Sequence, residues 1–231
     1  MSRTYVIPDL HGRRDLLDLA LEAIIRRTRG EATTVVLLGD YVNKGPASAQ
    51  VIERLLAGLD PAWRTITLKG NHDAIMLDAL RDERKLPQWL DNGGAATLRS
   101  YAPQSDHIPD SAVVPDTHRA WLERLRTIYL DAHRVYVHAG VDPARPLDAQ
   151  DETTLLTKRY AADDASGHGA RHVVHGHHPF RDGPKLLRGR TDLDTLAWQT
   201  GRLVIGVFED EQPGGPIELI EVKGPSFGKN C

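Results

Sequence analysis

The sequence predicts an α/β fold of mixed α+β character, in which a pair of mixed β-sheets is flanked by helices. Three observations lead there. Residues 4–68 read as two βαβ units of about thirty residues each, the pattern of a parallel sheet with right-handed crossovers. The second half carries more short strands than helices. A parallel half and a mostly antiparallel half need not share one sheet, so two sheets are expected.

Taken in order, Thr4 to Ile7 is a β-prone run that stops at Pro8, which has no N–H for a ladder. Leu16, Leu17, Leu19, Ala20, Ala23, Ile24 and Ile25 recur at helical spacing, with Arg26, Arg27 and Arg29 toward the negative helix end and Gly30 as the stop. Thr33 to Leu38 is a continuous apolar and β-branched run, as in a strand buried on both faces. Gly45 and Pro46 open a helix over Ser48 to Leu56, Arg64 to Leu68 forms a third strand, and a helix follows over Asp73 to Leu80. Residues 85–117 hold four prolines plus Gly93 and Gly94, which reads as a partly helical insertion or lid within a single domain covering 1–231. A helix around His118 to Leu125 leads to strands at Ile128 to Asp131 and Arg134 to His138, of opposite direction, and then to a helix over Thr153 to Ala162. Further strands are expected at His172 to His175, Lys185 to Leu187, Leu203 to Phe208 and Ile217 to Val222.

Composition excludes several classes. The 231 residues carry 29 Lys+Arg against 32 Asp+Glu, a net charge of −3, with no run of five like charges, so neither a nucleic-acid nor a membrane partner is expected. The single cysteine, Cys231, rules out a disulfide framework and a thiolate metal site and suits a reducing, cytoplasmic setting. No apolar stretch approaches a spanning helix and no leader pattern is present, so a soluble, unprocessed chain is expected. Histidine is the exception: of 11, five (His168, His172, His175, His177, His178) fall in one short stretch.

Metal-competent residues fall after the strands: Asp9 and His11, then Asp40, then Asn71 and His72, then His138, then the His175–His178 group. Ligands bind beyond the carboxyl ends of strands in open α/β sheets, so these loops can converge. Singly, each motif is ordinary turn chemistry at a strand end; their joint order is not. Asp9, His11, Asp40, Asn71, His138 and His177 offer oxygen and imidazole donors, suited to manganese, iron or zinc more than to calcium or hydrated magnesium. Six ligands with one shared carboxylate fit two divalent metal ions: Asp9, His11 and Asp40 on one, Asp40, Asn71, His138 and His177 on the other. Two carboxylates against two such ions leave a charge of about +2, which a phosphate dianion and a metal-bound hydroxide would fill. His72 is placed to protonate the leaving oxygen. His107, His118, His133, His168 and His172 are read as surface or helix-lining, and His175 and His178 are left open. Gly224 to Gly228 matches a nucleophile elbow but leaves no room for its helix. No P-loop or G-x-G-x-x-G follows a strand.

The motifs Asp9-Leu-His-Gly, Gly39-Asp-Tyr-Val-Asn-Lys-Gly-Pro46, Gly70-Asn-His-Asp73, Val137-His-Ala-Gly140 and His175-Gly-His-His-Pro179 resemble, in order and spacing, those of the calcineurin-like metallophosphoesterases. They look most like the phosphoprotein phosphatase branch, which includes bacterial serine/threonine phosphatases and diadenosine tetraphosphate hydrolases. The resemblance implies a four-layer αββα sandwich, a dinuclear metal site, and phosphomonoester hydrolysis without a phosphoenzyme. It selects His177 through Gly176-His177, and it makes Lys44, Asn71, His72 and Arg159 candidates for holding the substrate phosphate. Leu193-Asp194-Thr195 resembles a structural strand near the family's end. The family's Gly-Asp-x-x-Asp-Arg-Gly is altered here to Asn43 and Lys44. Asn43 would hydrogen-bond His72 without charging it, and Lys44 loses the two-pronged geometry of arginine. The reading is a phosphoesterase acting on a phosphorylated protein or small phosphoester, with a serine/threonine protein phosphatase first. Dinucleoside polyphosphate hydrolysis is the alternative, and a degenerate fold that only binds phosphorylated partners a third.

Overall fold

The period-two alternation of the first strands builds the layers. The computed structural model describes residues 2–28, 30–161 and 163–227; Arg29, Ala162, Gly228 and Cys231 lie outside them. Strands β1 (Arg3–Ile7), β2 (Thr33–Leu37) and β3 (Trp63–Thr67) pair in parallel. Tyr5, Ile7, Val35 and Leu37 send side chains to one face, where helices α1 (Arg14–Thr28), α2 (Ser48–Leu56) and α3 (Asn71–Arg81) bury Leu16, Leu17, Ile24, Val51, Ile52 and Met76. Val6, Val36 and Leu38 face the other way and meet Tyr136 and Val174 from the second sheet.

Between α3 and the second sheet, α4 (Leu86–Trp89) and α5 (Ala95–Tyr101) lie within residues 85–117, and α6 (Asp116–Glu123) is the helix expected around His118 to Leu125. Trp89, Leu98 and Val114 sit in the helix-side core, so this segment is packed and not an open flap.

The second sheet runs β4-β5-β6-β8-β7, built from β4 (Ile128–Leu130), β5 (Arg134–Val137), β6 (His172–His175), β7 (Lys185–Leu186) and β8 (Arg190–Asp192). Its centre, β5-β6-β8, is parallel. Its outer face carries Val135, Val137 and Val173 against Leu155 of α7 (Glu152–Thr157), a thin fourth layer. The architecture is therefore two mixed sheets flanked by helices.

Three sequence expectations change. The antiparallel strands β9 (Arg202–Glu209) and β10 (Glu218–Lys223) do not join the second sheet; β9 pairs with the free edge of β1, giving the order β10-β9-β1-β2-β3. The strand placed at Leu193–Thr195 lies at Arg190–Asp192, three polar residues whose burial is made tolerable by Arg190 bonding the Asp164 carbonyl and His175. The helix expected over Thr153 to Ala162 stops at Thr157, where Lys158 turns extended.

Candidate metal centre

All six parallel strands end at one pocket. Asp9 and His11 follow β1, Asp40 follows β2, Asn71 and His72 follow β3 and open α3, His138 follows β5, His177 follows β6, and Asp194 follows β8. The bends that aim these side chains are costly. Among the described residues, the non-glycine residues with positive φ are His11 (44°), Asp40 (53°), Asn43 (72°), Lys44 (67°), His177 (66°) and Leu196 (56°). Five of the six line the pocket, and the sixth, Asn43, bonds one of its walls. Such clustering of sparsely populated backbone marks a functional constraint. Close approach adds to it: a Cβ on Gly176 would strike the Asp9 carboxylate, and one on Gly70 the Asp40 carboxylate.

Asp40 sits at the centre, Oδ2 3.4 Å from His11 Nε2 and Oδ1 3.6 Å from His138 Nε2. His11 Nδ1 donates to the Val42 carbonyl at 2.9 Å and His138 Nδ1 to the Leu38 carbonyl at 3.0 Å, so both rings turn an Nε2 lone pair inward. Asn71 Oδ1 lies 2.9 Å from His138 Nε2 and 2.9 Å from His177 Nδ1. With the His138 proton committed to Leu38, the His138–Asn71 approach sets lone pair against lone pair, which a bound cation would relieve. Burial points the same way: it raises Asp40 to about 7 and Asp9 well above the carboxylate range, with Asp194's charge adding to both, and it lowers His11 and His138. Carboxylates whose charge burial opposes, beside neutral imidazoles, fit divalent ions, which would stabilise the anionic form. Ligand atoms of His11, Asp40 and His72, and of Asp9, Asp40 and His138, lie within 4.8 Å of one another in each trio, and Asp40 is common to both. The sequence partition paired Asp9 with His11 and kept His72 apart as the acid; the first trio also sets His72 against His11 and Asp40.

His72 is held by a chain of donors. Trp89 Nε1 donates to Asn43 Oδ1 at 2.9 Å and Thr97 Oγ1 donates to it at 3.1 Å, which turns Asn43 Nδ2 onto His72 Nδ1 at 2.8 Å. The indole can only donate, so the amide orientation is forced, and His72 carries its proton on Nε2. Burial, then the Lys44, His138 and His177 charges, lower the His72 pKa to about 2, so the ring is neutral, as Asn43 led the sequence reading to expect.

Lys44 Nζ lies 3.1 Å from His11 Nε2, and Arg159 stands exposed at the rim of the same pocket. The histidines left open are resolved: His175 is fully buried, with Nε2 bonded to Arg190 at 3.1 Å and away from the pocket, and His178 is not among the lining residues. His172 is neither surface nor helix-lining; it is buried on β6, with Nε2 2.9 Å from Thr191 Oγ1. Sequence reasoning missed Asp194 and Trp198 as pocket residues. Asp194 obeys the same rule as the others, a carboxylate just past a strand end, but its strand is too polar to read. Were it ionised, two divalent ions held here would face three carboxylates instead of the two counted from sequence.

A family model described as calcineurin-like phosphoesterase matches residues 2–206. A symmetrical bis(5'-nucleosyl)-tetraphosphatase of Paracidovorax citrulli (strain AAC00-1) is 36% identical over 151 residues, 63% of this chain and 46% of that protein. The chain spans about half the length of the curated relatives it matches. A crystal structure assigned provisionally as a diadenosine tetraphosphatase superposes with a TM-score of 0.67 at 27% identity, over 99% of this chain and 95% of that one. A protein serine/threonine phosphatase from Saccharomyces cerevisiae shares the fold, with a TM-score of 0.57 at 13% identity over 99% of this chain and 82% of that one.

Proposed function

The chain belongs to the calcineurin-like phosphoesterase family, and on that premise we propose that it hydrolyses dinucleoside polyphosphates at a phosphoanhydride bond. The carrying observation is the neutral His72 held by Asn43. Expelling a serine alkoxide, whose conjugate acid is about as weak as water at pKa 15.7, needs a proton donor of real strength. A nucleoside diphosphate leaves far more readily, since its terminal phosphate has a second pKa of about 6. A neutral imidazole donating one hydrogen bond from Nε2 suffices for the second and is poor for the first. The names of the similar tetraphosphatases support the same substrate class. The serine/threonine protein phosphatase put first on sequence grounds has only a distant likeness of fold behind it.

Two divalent ions, manganese by preference with iron or zinc as alternatives, would supply an activated water and neutralise charge at phosphorus. Asp9, His11, Asp40, Asn71, His138 and His177 would hold them. Lys44 and Arg159 would draw the polyphosphate into a pocket of about 270 Å³. For symmetrical cleavage, one water enters at the central anhydride and two nucleoside diphosphates leave. Neither nucleic acid nor membrane enters this reading, and a cytoplasmic setting belongs to it; among the described residues no helix is long and apolar enough to cross a membrane. The test is a manganese-supplemented panel of diadenosine tetraphosphate and a phosphoserine peptide. Two equivalents of adenosine diphosphate at the higher kcat/KM are expected. Faster release of phosphate from the peptide would overturn the proposal, and manganese binding without turnover of either would favour the phospho-binding reading.

A further inference from the structure

Beside the catalytic pocket lies a second cavity of about 420 Å³, within the roughly 300–1,000 Å³ of small-molecule sites. The two share Lys44 and Trp198, so the groove begins where the phosphate pocket ends. Its lining is unlike the metal centre: Trp198, Phe227, Pro46 and Pro103 give flat apolar surface, and Arg99 of α5 adds a cation to Lys44. Lys44 Nζ stands 5.7 Å from the centre of the Trp198 ring, joining the charged end to the aromatic one.

Both aromatic walls are fixed by one side chain. Arg13, fully buried, donates from Nη1 to the carbonyls of Ala197 at 3.0 Å and Trp198 at 3.2 Å, and from Nη2 to the Pro225 carbonyl at 2.8 Å. Its guanidinium lies 4.7 Å from the centre of the Phe227 ring. The Phe227 N–H donates to the Gln199 carbonyl at 3.0 Å, and that of Gly224 to the Gly201 carbonyl at 2.8 Å, so the tail is laced to the short helix α8 (Ala197–Thr200) that bears Trp198. Phe227 lies beyond residues 2–206, the span of the family match.

We propose that the groove is a nucleobase subsite, in which one base of the substrate stacks on Trp198 and Phe227 while its phosphates pass Lys44 into the metal centre. This rests on the dinucleoside polyphosphate reading. An aromatic platform tolerates any base, because every base offers a π-face, and two neighbouring cations suit a ligand that is flat at one end and anionic at the other. A phosphoprotein substrate would instead place an apolar side chain there.

The test compares kcat/KM on diadenosine tetraphosphate with that on p-nitrophenyl phosphate, which has no base, in the manganese-loaded full chain. Phe227→Ala is expected to lower the ratio roughly tenfold, mostly through KM, with Phe227→Tyr restoring it. Ala96→Trp fills the groove from α5 without touching the tail, and is expected to lower the same ratio if Phe227→Ala fails to fold. An unchanged ratio in a folded Phe227→Ala or Ala96→Trp protein that still cleaves diadenosine tetraphosphate overturns the subsite and leaves the proposed activity standing. A wild-type protein that cleaves only phosphopeptides overturns both.

Discussion

At the scale of single residues, the departure that matters is Asn43. Its amide is locked by Trp89 and Thr97, and it can only donate to His72. In Asn43→Asp, one carboxylate oxygen would keep those two donors while the other faced His72 Nδ1 and accepted a proton from it. An adjacent carboxylate favours the charged imidazolium, so the His72 pKa moves up from about 2. The sign follows: a raised pKa keeps the ring protonated to higher pH, so the alkaline limb of the kcat profile on poor leaving groups shifts upward. Phosphoserine-peptide turnover at neutral pH is expected to rise about tenfold, while diadenosine tetraphosphate turnover changes less than about threefold. Equal changes on the two substrates would refute the neutral-acid account. The candidate ligand residues were legible because each sits just past a recognisable strand. Asp194 was not, because Arg190, Thr191 and Asp192 give no apolar signal, although all three are buried.

At the scale of elements, the N-terminus of α3 is tied to the end of β2 by one side chain. Asp73 Oδ2 accepts from the N–H groups of Asp40 and Gly70, each at 2.9 Å, and Oδ1 accepts from that of Tyr41 at 3.0 Å. Asp73 is fully buried, so Asp73→Ala would strand three donors that water cannot reach. A loss of about 3 kcal/mol or more is expected, read as a lower urea midpoint, together with weaker manganese binding because Asp40 and Asn71 lose their shared anchor. A midpoint equal to wild type would show that the tie carries no weight. Most element boundaries were legible because apolar periodicity is a local property. The early end of α7 was not: Leu155 and Leu156 reach the core, but beyond Thr157 the chain must turn so that Tyr160 can pack at 5.2 Å from the His175 ring and Arg159 can stand at the pocket rim.

At the scale of the molecule, the metal centre straddles two sheets, with Asp9, Asp40 and Asn71 from the first and His138, His177 and Asp194 from the second. Bound ions would therefore clamp the sheets together. A chelator is expected to lower the Tm by about 5–10 °C relative to protein at 100 times the manganese Kd, since that excess contributes about 2.7 kcal/mol. Phe208, fully buried between the sheets against Tyr136, is expected to cost about 3–5 kcal/mol on mutation to Ala and to weaken manganese binding at the same time. A Tm indifferent to both chelator and manganese would refute the clamp. By itself, the sequence determined the βαβ start, the ligand types and their order, because strand runs, turn residues and donor chemistry are written locally. Only the tertiary structure decided that β9 closes on β1, that Asp194 joins the pocket, and that Trp198 and Phe227 share one groove. Those facts depend on which free edge and which loops meet in space, and no periodicity along the chain encodes that.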